Sequence, residues 1–553
     1  MKERKRSLLA LILAVALMAS GCGVRQMAER FEELREQAAG AAADNANRGQ
    51  TAGTDAELLF SQMEYVRPDM EAFHAVLEES CAAAGSEDLD TVVDGIWAFY
   101  DVYDWFYTYY SLSDVHYCMD MTDPYWEEEY YYCVENSAAV DAALEELYYA
   151  LAKSPCREQL ERDDYFGEGY FDAYDGENAW DENFTALLER EAALQNRYYD
   201  LSGETGGYEY GSEGYYDACA GELAQLLVDL IAVRQEMADY WGYESYADFA
   251  WDFYYYRDYT PGQMESYMAE ISRELVPIYR DMAQSDIWDY SYRRCSENQI
   301  MDYVRQAAKN MGGSVWDAFS VMESRELCDI TYGENKYATS FEVYLTCYEI
   351  PFVFLCPTLE NYDKLTFAHE FGHFCNDYQS YGSVAGVDVL EVFSQGMEYL
   401  SLCYSEGADA LARVKLADSL STYVEQAAFG TFEHRLYQLE NPTVEDLYAL
   451  YDEVALAFGF ESVGYDKREF ITIGHFYTNP LYIDSYVVSN DAALQIYQLE
   501  RESAGEGLAM YEKHLDTQEV WFLSFLDTAG LESPFAPGRL QSVRDLFRQE
   551  LLP

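Results

Sequence analysis

The chain has 553 residues, half of them hydrophobic, with 101 acidic against 35 basic residues and a formal net charge of −66. That composition supports a large core and two or more domains. It excludes nucleic-acid binding through backbone phosphates, which needs clustered cations, and it opposes electrostatic adhesion to anionic lipid.

In chain order, Lys2, Arg4, Lys5 and Arg6 precede an apolar stretch at residues 8–18 of signal-peptide length, too short for an ordinary membrane-spanning helix. Ala19-Ser20-Gly21-Cys22 resembles a bacterial lipobox, the short motif ending in a cysteine that receives diacylglycerol. Residues 1–21 are thus expected to be a lipoprotein signal peptide, with Cys22 the lipidated residue. Residues 22–56 form the lipidated N-terminus and a flexible tether, because 38–56 (AAGAAADNANRGQTAGTDA) holds too little apolar surface to order itself. The expected location is the extracellular face of the bacterial cell membrane, with the lipid as the only membrane attachment.

Residues 57–215 are expected to form an N-terminal helical lobe. The chain carries 53 tyrosines, and 98–112 (AFYDVYDWFYTYYSL) is too dense in aromatics for one clean stripe. It reads as a helix buried between neighbours, with phenol groups finding polar partners. Residues 169–184 and 202–217 are rich in glycine and acids but lack the spacing of a calcium loop, and they read as turns. Twelve cysteines show no CxxC pair; eleven remain beyond Cys22, and a disulfide-built fold is not expected at this length.

Residues 216–553 are expected to be the catalytic domain. Apolar residues recur near a 3.6 period over 219–237, 261–285 and 444–460, predicting helices. Strand-like runs are few, and 338–346 and 350–356 are the clearest.

Residues 366–378 read TFAHEFGHFCNDY, in which His369, Glu370 and His373 form an HExxH motif. On an α-helix positions i and i+4 share a face, so His369 and His373 can offer two imidazole nitrogens to one metal ion. Glu370 stands beside them as a general base for a metal-activated water. Two imidazoles and one carboxylate are a common zinc set that leaves one tetrahedral corner open. Asn376 and Gln379 stand where a metzincin would have its glycine and third histidine, so the third ligand is sought further on. After the short loop QSYGSVAG, the segment DVLEVFSQGMEYL (388–400) carries Glu391 and Glu398 seven residues apart, on one helix face. Spacing favours Glu391 over Glu398 without excluding either, and a glutamate on such a helix is ordinarily a solvated residue.

At these residues the chain resembles the oligoendopeptidase F and thimet oligopeptidase group of zinc metallopeptidases, whose HExGH motif is followed by a helix bearing E-x-[P/A]-S-Q-x-x-E. Glu391, Ser394, Gln395 and Glu398 occupy those positions, which by resemblance makes Glu391 the third ligand of a single zinc ion. Residues 473–489 (IGHFYTNPLYIDSYVVS) resemble the family's HFYxxPFYxYQYxxG segment. The resemblance implies that His475, Tyr482 and Tyr486 line the cleft and hydrogen-bond the reacting carbonyl. Residues 344–366 resemble the strand along which these enzymes lay the substrate backbone, and 234–251 a further family stretch. Three positions depart from the pattern: Phe393 replaces a small residue or proline, Asn376 a frequent histidine, and Asp484 a frequent tyrosine.

The resemblance implies a mainly α, two-lobed helical metallopeptidase with a deep central channel and a small β-sheet beside the zinc-binding helix. It also implies an endopeptidase acting on short oligopeptides. A non-catalytic peptide-binding lipoprotein on the same fold is the alternative; it would be marked by a broken ligand set, and the set is complete. The acidic surface serves solubility, with steering of basic peptides as a secondary reading.

Overall fold

The computed structural model describes residues 58–552, apart from 163–164, 168, 176–181, 204–207, 209–210 and 284. The signal peptide, Cys22 and the tether lie outside the described residues, as do 176–181, 204–207 and 209–210 of the two glycine- and acid-rich stretches; elsewhere those stretches are not simply turns, since Tyr170–Tyr174 is a 3-10 helix and Glu213 begins the helix Glu213–Trp241. Among the described residues no helix is long and apolar enough to cross a membrane.

The chain forms two compact units that do not follow sequence order. One contains the described residues up to 178 with 295–384 and 512–518, and the other contains 179–294, 385–511 and 519–553.

The first unit opens on three helices: α1 (Met70–Ala84), α2 (Leu89–Met119) and α3 (Pro124–Ala152). The Asp69 carboxylate accepts from the Glu71 and Ala72 amides and caps α1, while Asp123 caps α3 just before Pro124, whose missing N–H costs nothing in the first turn. Their shared core buries Phe73, Ile96, Phe99, Leu144, Leu147 and Leu151. The aromatics of 98–112 lie inside α2 as expected, and their phenols pair within the core. Tyr100 and Tyr148 hydroxyls meet at 3.0 Å, and Tyr103 and Tyr107 both donate to Asp141.

The same unit holds a sheet in the order β1-β3-β2, with β1 (Cys328–Asp329) parallel and β2 (Ser340–Leu345) antiparallel to β3 (Ile350–Leu355). All six residues of β3 are buried, as a continuous apolar run requires of a central strand. The expected strands are therefore present and trimmed by one or two residues. The next helix, α4 (Asp363–Ser380), lies against β2 and β3 and carries the HExxH motif, with the helices Glu297–Met311 and Gly313–Ser324 packed on it.

In the second unit, α5 (Val387–Cys403) runs along α6 (Ile483–Glu502). They approach closely at Gly396, where an added Cβ would lie 3.0 Å from Ile496 Cδ1 and 3.3 Å from the Tyr511 ring. The helix expected over 261–285 is two pieces, Pro261–Glu274 and Val276–Met282. Pro277 has no N–H for the preceding turn and tolerates only the start of a new helix. The helix expected over 444–460 stops at Ala457, before Gly459 in the left-handed region at φ +83°.

Candidate metal centre and its supports

Helix α4 is fixed at both ends. The Asp363 carboxylate accepts from the Glu360 amide at 2.9 Å and from the Thr358 amide and hydroxyl at 3.2 and 3.0 Å, holding the chain where it turns into the helix. At the other end, Tyr381 is left-handed at φ +58° and Asp377 accepts from the Ser383 amide at 2.9 Å. Between them, Phe367, Ala368, Phe371, Phe374 and Cys375 are buried, while His369 and His373 are half-buried. The packing of α4 thus leaves both imidazoles accessible, with ring centroids 5.1 Å apart. Cys375 is a wholly buried helix residue.

Glu370 is buried, and Ser340 Oγ, at the start of β2, donates to its Oε1 at 2.7 Å. Two residues along the same face of β2, Glu342 faces Asp377 of α4. Burial, then the charges of Asp377 and Glu370, hold the Glu342 carboxyl well above the usual carboxylate range. Burial also pushes Asp377 up to about 6.

Helix α5 is different: every residue from Glu391 to Leu402 is buried, polar ones included. Glu391 is held at both oxygens, Oε1 by the Tyr482 hydroxyl at 3.0 Å and Oε2 by Ser394 Oγ at 2.9 Å. Glu398, the other candidate, instead meets the buried Lys415 Nζ at 2.8 Å, and Lys415 also contacts Asp418 at 3.0 Å. Neither glutamate is a solvated helix residue. Gln395 Nε2 donates to Ser489 Oγ of α6 at 2.8 Å.

His475, Tyr482 and Tyr486 cluster. The His475 ring stacks on Tyr482 with centroids 5.3 Å apart, and Tyr486 lies 5.8 Å from His475 and 5.4 Å from Tyr482. Burial lowers the His475 pKa against an opposing pull from Glu391, so its imidazole is neutral near pH 7. Burial, then the neighbouring Glu391, holds the Tyr482 phenol far above its ordinary value, so it keeps its proton to donate.

The ligand atoms of His369, His373 and Glu391 all lie within 4.8 Å of one another. Two imidazoles and an oriented carboxylate fit a divalent cation of the zinc type. The three departures from the family pattern each have a structural role. Asn376 is buried and donates to the Leu515 carbonyl at 2.7 Å. Phe393 packs on Tyr511 and Phe525. Asp484 is wholly buried against His434 Nε2 at 2.8 Å, with Arg257 at 3.8 Å. Sequence reasoning missed Ser340, Asp388, Arg257 and Tyr255, whose contacts join residues 30 or more positions apart and leave no local pattern.

Residues 60–177 match the Peptidase M3 N-terminal domain. No curated protein sequence matches the chain. Among solved structures, a protein provisionally designated oligoendopeptidase F is similar over 89% of this chain and 98% of its own, at 20% identity and a TM-score of 0.76. PZ peptidase A, solved with an inhibitor, is 19% identical over 89% of this chain and 99% of its own, with a TM-score of 0.76. Oligoendopeptidase-F from Enterococcus faecium is 15% identical, over 87% and 96%, at 0.52. At these identities the likeness establishes the fold, a helical one with a small sheet, as the motifs led us to expect.

Proposed function

We infer that this chain, which by its fold and N-terminal domain belongs with the oligoendopeptidase F and M3 peptidases, is a zinc-dependent endopeptidase. Its substrates are short oligopeptides, and it works at the outer face of the cell membrane, held there by lipid on Cys22. The observation that carries the reading is the convergence of His369, His373 and Glu391, with ligand atoms within 4.8 Å of one another. These three would hold the ion. When bound, zinc lowers the pKa of a water and polarises the scissile carbonyl.

The rest falls to the chain's own side chains. Glu370 accepts the proton of the attacking water at a carboxylate oxygen and passes it to the leaving amine. Ser340, donating to Oε1, restrains the carboxylate. Charge grows on the carbonyl oxygen in the transition state, and donors aimed there lower the barrier. Neutral His475 and the Tyr486 hydroxyl are the groups we assign to that task, because the single Tyr482 proton is already donated to Glu391 Oε1. Tyr482 and Ser394 orient Glu391 as a ligand, as hydrogen bonds to a metal-binding carboxylate commonly do.

The test is hydrolysis of internally quenched peptides by full-length protein, with and without a chelator, alongside Glu370→Gln. Cleavage that the chelator stops, zinc restores and Glu370→Gln lacks supports the reading. A metal-loaded protein that binds peptides without cutting them would replace it with the peptide-binding alternative. Cys22→Ser should move the protein out of the membrane fraction; retention there would remove the lipid anchor from the proposal.

A further inference from the structure

The turn that delivers Tyr482 to Glu391 is strained and held from outside. Leu481 sits in the left-handed region at φ +66°, a conformation that residues with a side chain rarely adopt. Such a conformation persists where the surroundings over-determine it. Here the Tyr255 hydroxyl donates to the Pro480 carbonyl at 2.6 Å, and Arg257 Nη2 donates to the Leu481 carbonyl at 3.1 Å and to Ser485 Oγ at 2.8 Å. The two consecutive carbonyls just before Tyr482 are therefore both gripped by one short segment.

The same segment grips α5. Arg257 Nε lies 3.3 Å from both Asp388 oxygens, and the Tyr259 hydroxyl donates to Asp388 at 2.8 Å. Asp388 stands one turn before Glu391. The Arg257 guanidinium is wholly buried and lies over the rings of Trp251 and Tyr255, 4.3 and 4.4 Å from their centroids. This segment includes a π-helical turn, Trp251–Tyr255, and then left-handed Tyr256 at φ +50°, irregular backbone of the kind found at functional sites.

We propose that Tyr255 and Arg257 are positioning residues for the metal centre: they hold the Leu481 turn against the first turn of α5 and so keep the Tyr482 hydroxyl on Glu391 Oε1. Neither touches a ligand atom of the triad. They act through Tyr482, which fixes the orientation in which Glu391 meets the ion. This rests on the metal reading above.

Arg257→Met would strand Asp388 without its cation and threaten folding, so the informative variant is Tyr255→Phe, which removes one hydroxyl and leaves the ring on Arg257. Zinc affinity is measured by competition with a chromophoric chelator for wild type, Tyr255→Phe, Tyr482→Phe and the double variant, with thermal denaturation of the metal-free proteins alongside. Tyr482→Phe and Tyr255→Phe should each weaken zinc binding, by about 10-fold for the former and by a lesser but clear factor for the latter. In the Tyr482→Phe background, Tyr255→Phe should change affinity less than twofold. Wild-type affinity in Tyr255→Phe, or an undiminished second loss in the double variant, would overturn the positioning role. A wild-type protein that takes up no zinc would instead overturn the metal reading itself, and normal affinity in Tyr482→Phe would remove the link on which the positioning acts.

Discussion

Helices α4 and α5 contribute to one triad but are built on different plans. Helix α4 packs on the sheet and on the helices Glu297–Met311 and Gly313–Ser324, yet leaves its two histidines only half-buried. Helix α5 is buried all round from Glu391 to Leu402, and three of its polar side chains find partners inside the protein: Glu391 with Tyr482 and Ser394, Gln395 through Nε2 with Ser489, Glu398 with Lys415. A helix with half-buried side chains can carry reactive groups that meet solvent and substrate. A fully buried one can hold a carboxylate in a single orientation, because each oxygen is constrained by a group that is itself packed.

The two plans predict different failures. On α4, Glu370→Gln should lower kcat by about 100- to 10,000-fold while zinc content and melting temperature stay near wild type; undiminished turnover would remove Glu370 as the base. On α5, Glu398→Ala leaves Lys415 with Asp418 alone, and losing one partner of a buried ion pair costs about 3 kcal/mol or more. Chemical denaturation should report that loss with zinc stoichiometry unchanged. Loss of zinc with unchanged stability would make Glu398 a ligand. Ser394→Ala frees Glu391 Oε2 from its donor, and zinc affinity should fall about 10-fold, read by chelator competition.

A further prediction concerns another buried carboxylate, Glu145 on α3, which sits near Asp141 rather than a cation. Burial, then the charge of Asp141, pushes its pKa from 4.5 up to about 8. The folded state therefore holds this proton more tightly than the unfolded chain. Its stabilisation is complete below pH 4.5 and is lost as the pH rises through about 8. Glu145→Gln should flatten the fall of stability with pH across that window, by at most about 1.4 kcal/mol per pH unit. An unchanged slope would mean that Glu145 titrates as an ordinary carboxylate.

What the sequence made legible follows the same division. The motif on α4 could be read because helix period, ligand type and spacing coincide within five residues, His369 to His373. The two long strands were legible as apolar runs, and the aromatic density of 98–112 marked a buried helix. On α5 the periodicity places Glu391 and Glu398 on one face, and spacing favours Glu391 without excluding Glu398. What separates them in the structure is distant in sequence: Lys415 draws Glu398 away, while Tyr482, 91 residues on, meets Glu391. Ser340 on Glu370 and Arg257 on Asp388 were likewise invisible, since a serine in a strand and an arginine after a tyrosine run carry no local signature. The interleaving of the two compact units is hidden for the same reason, because it depends on which segments pack together across the chain.

The central claim is that His369, His373 and Glu391 form one metal centre. It is tested most directly by elemental analysis of purified, dialysed wild type beside Glu391→Ala, with circular dichroism confirming that both are folded. The expected result is about one zinc per chain in wild type and near none in the folded variant. Equal zinc in both, or a folded wild type that takes up no divalent ion, would contradict it.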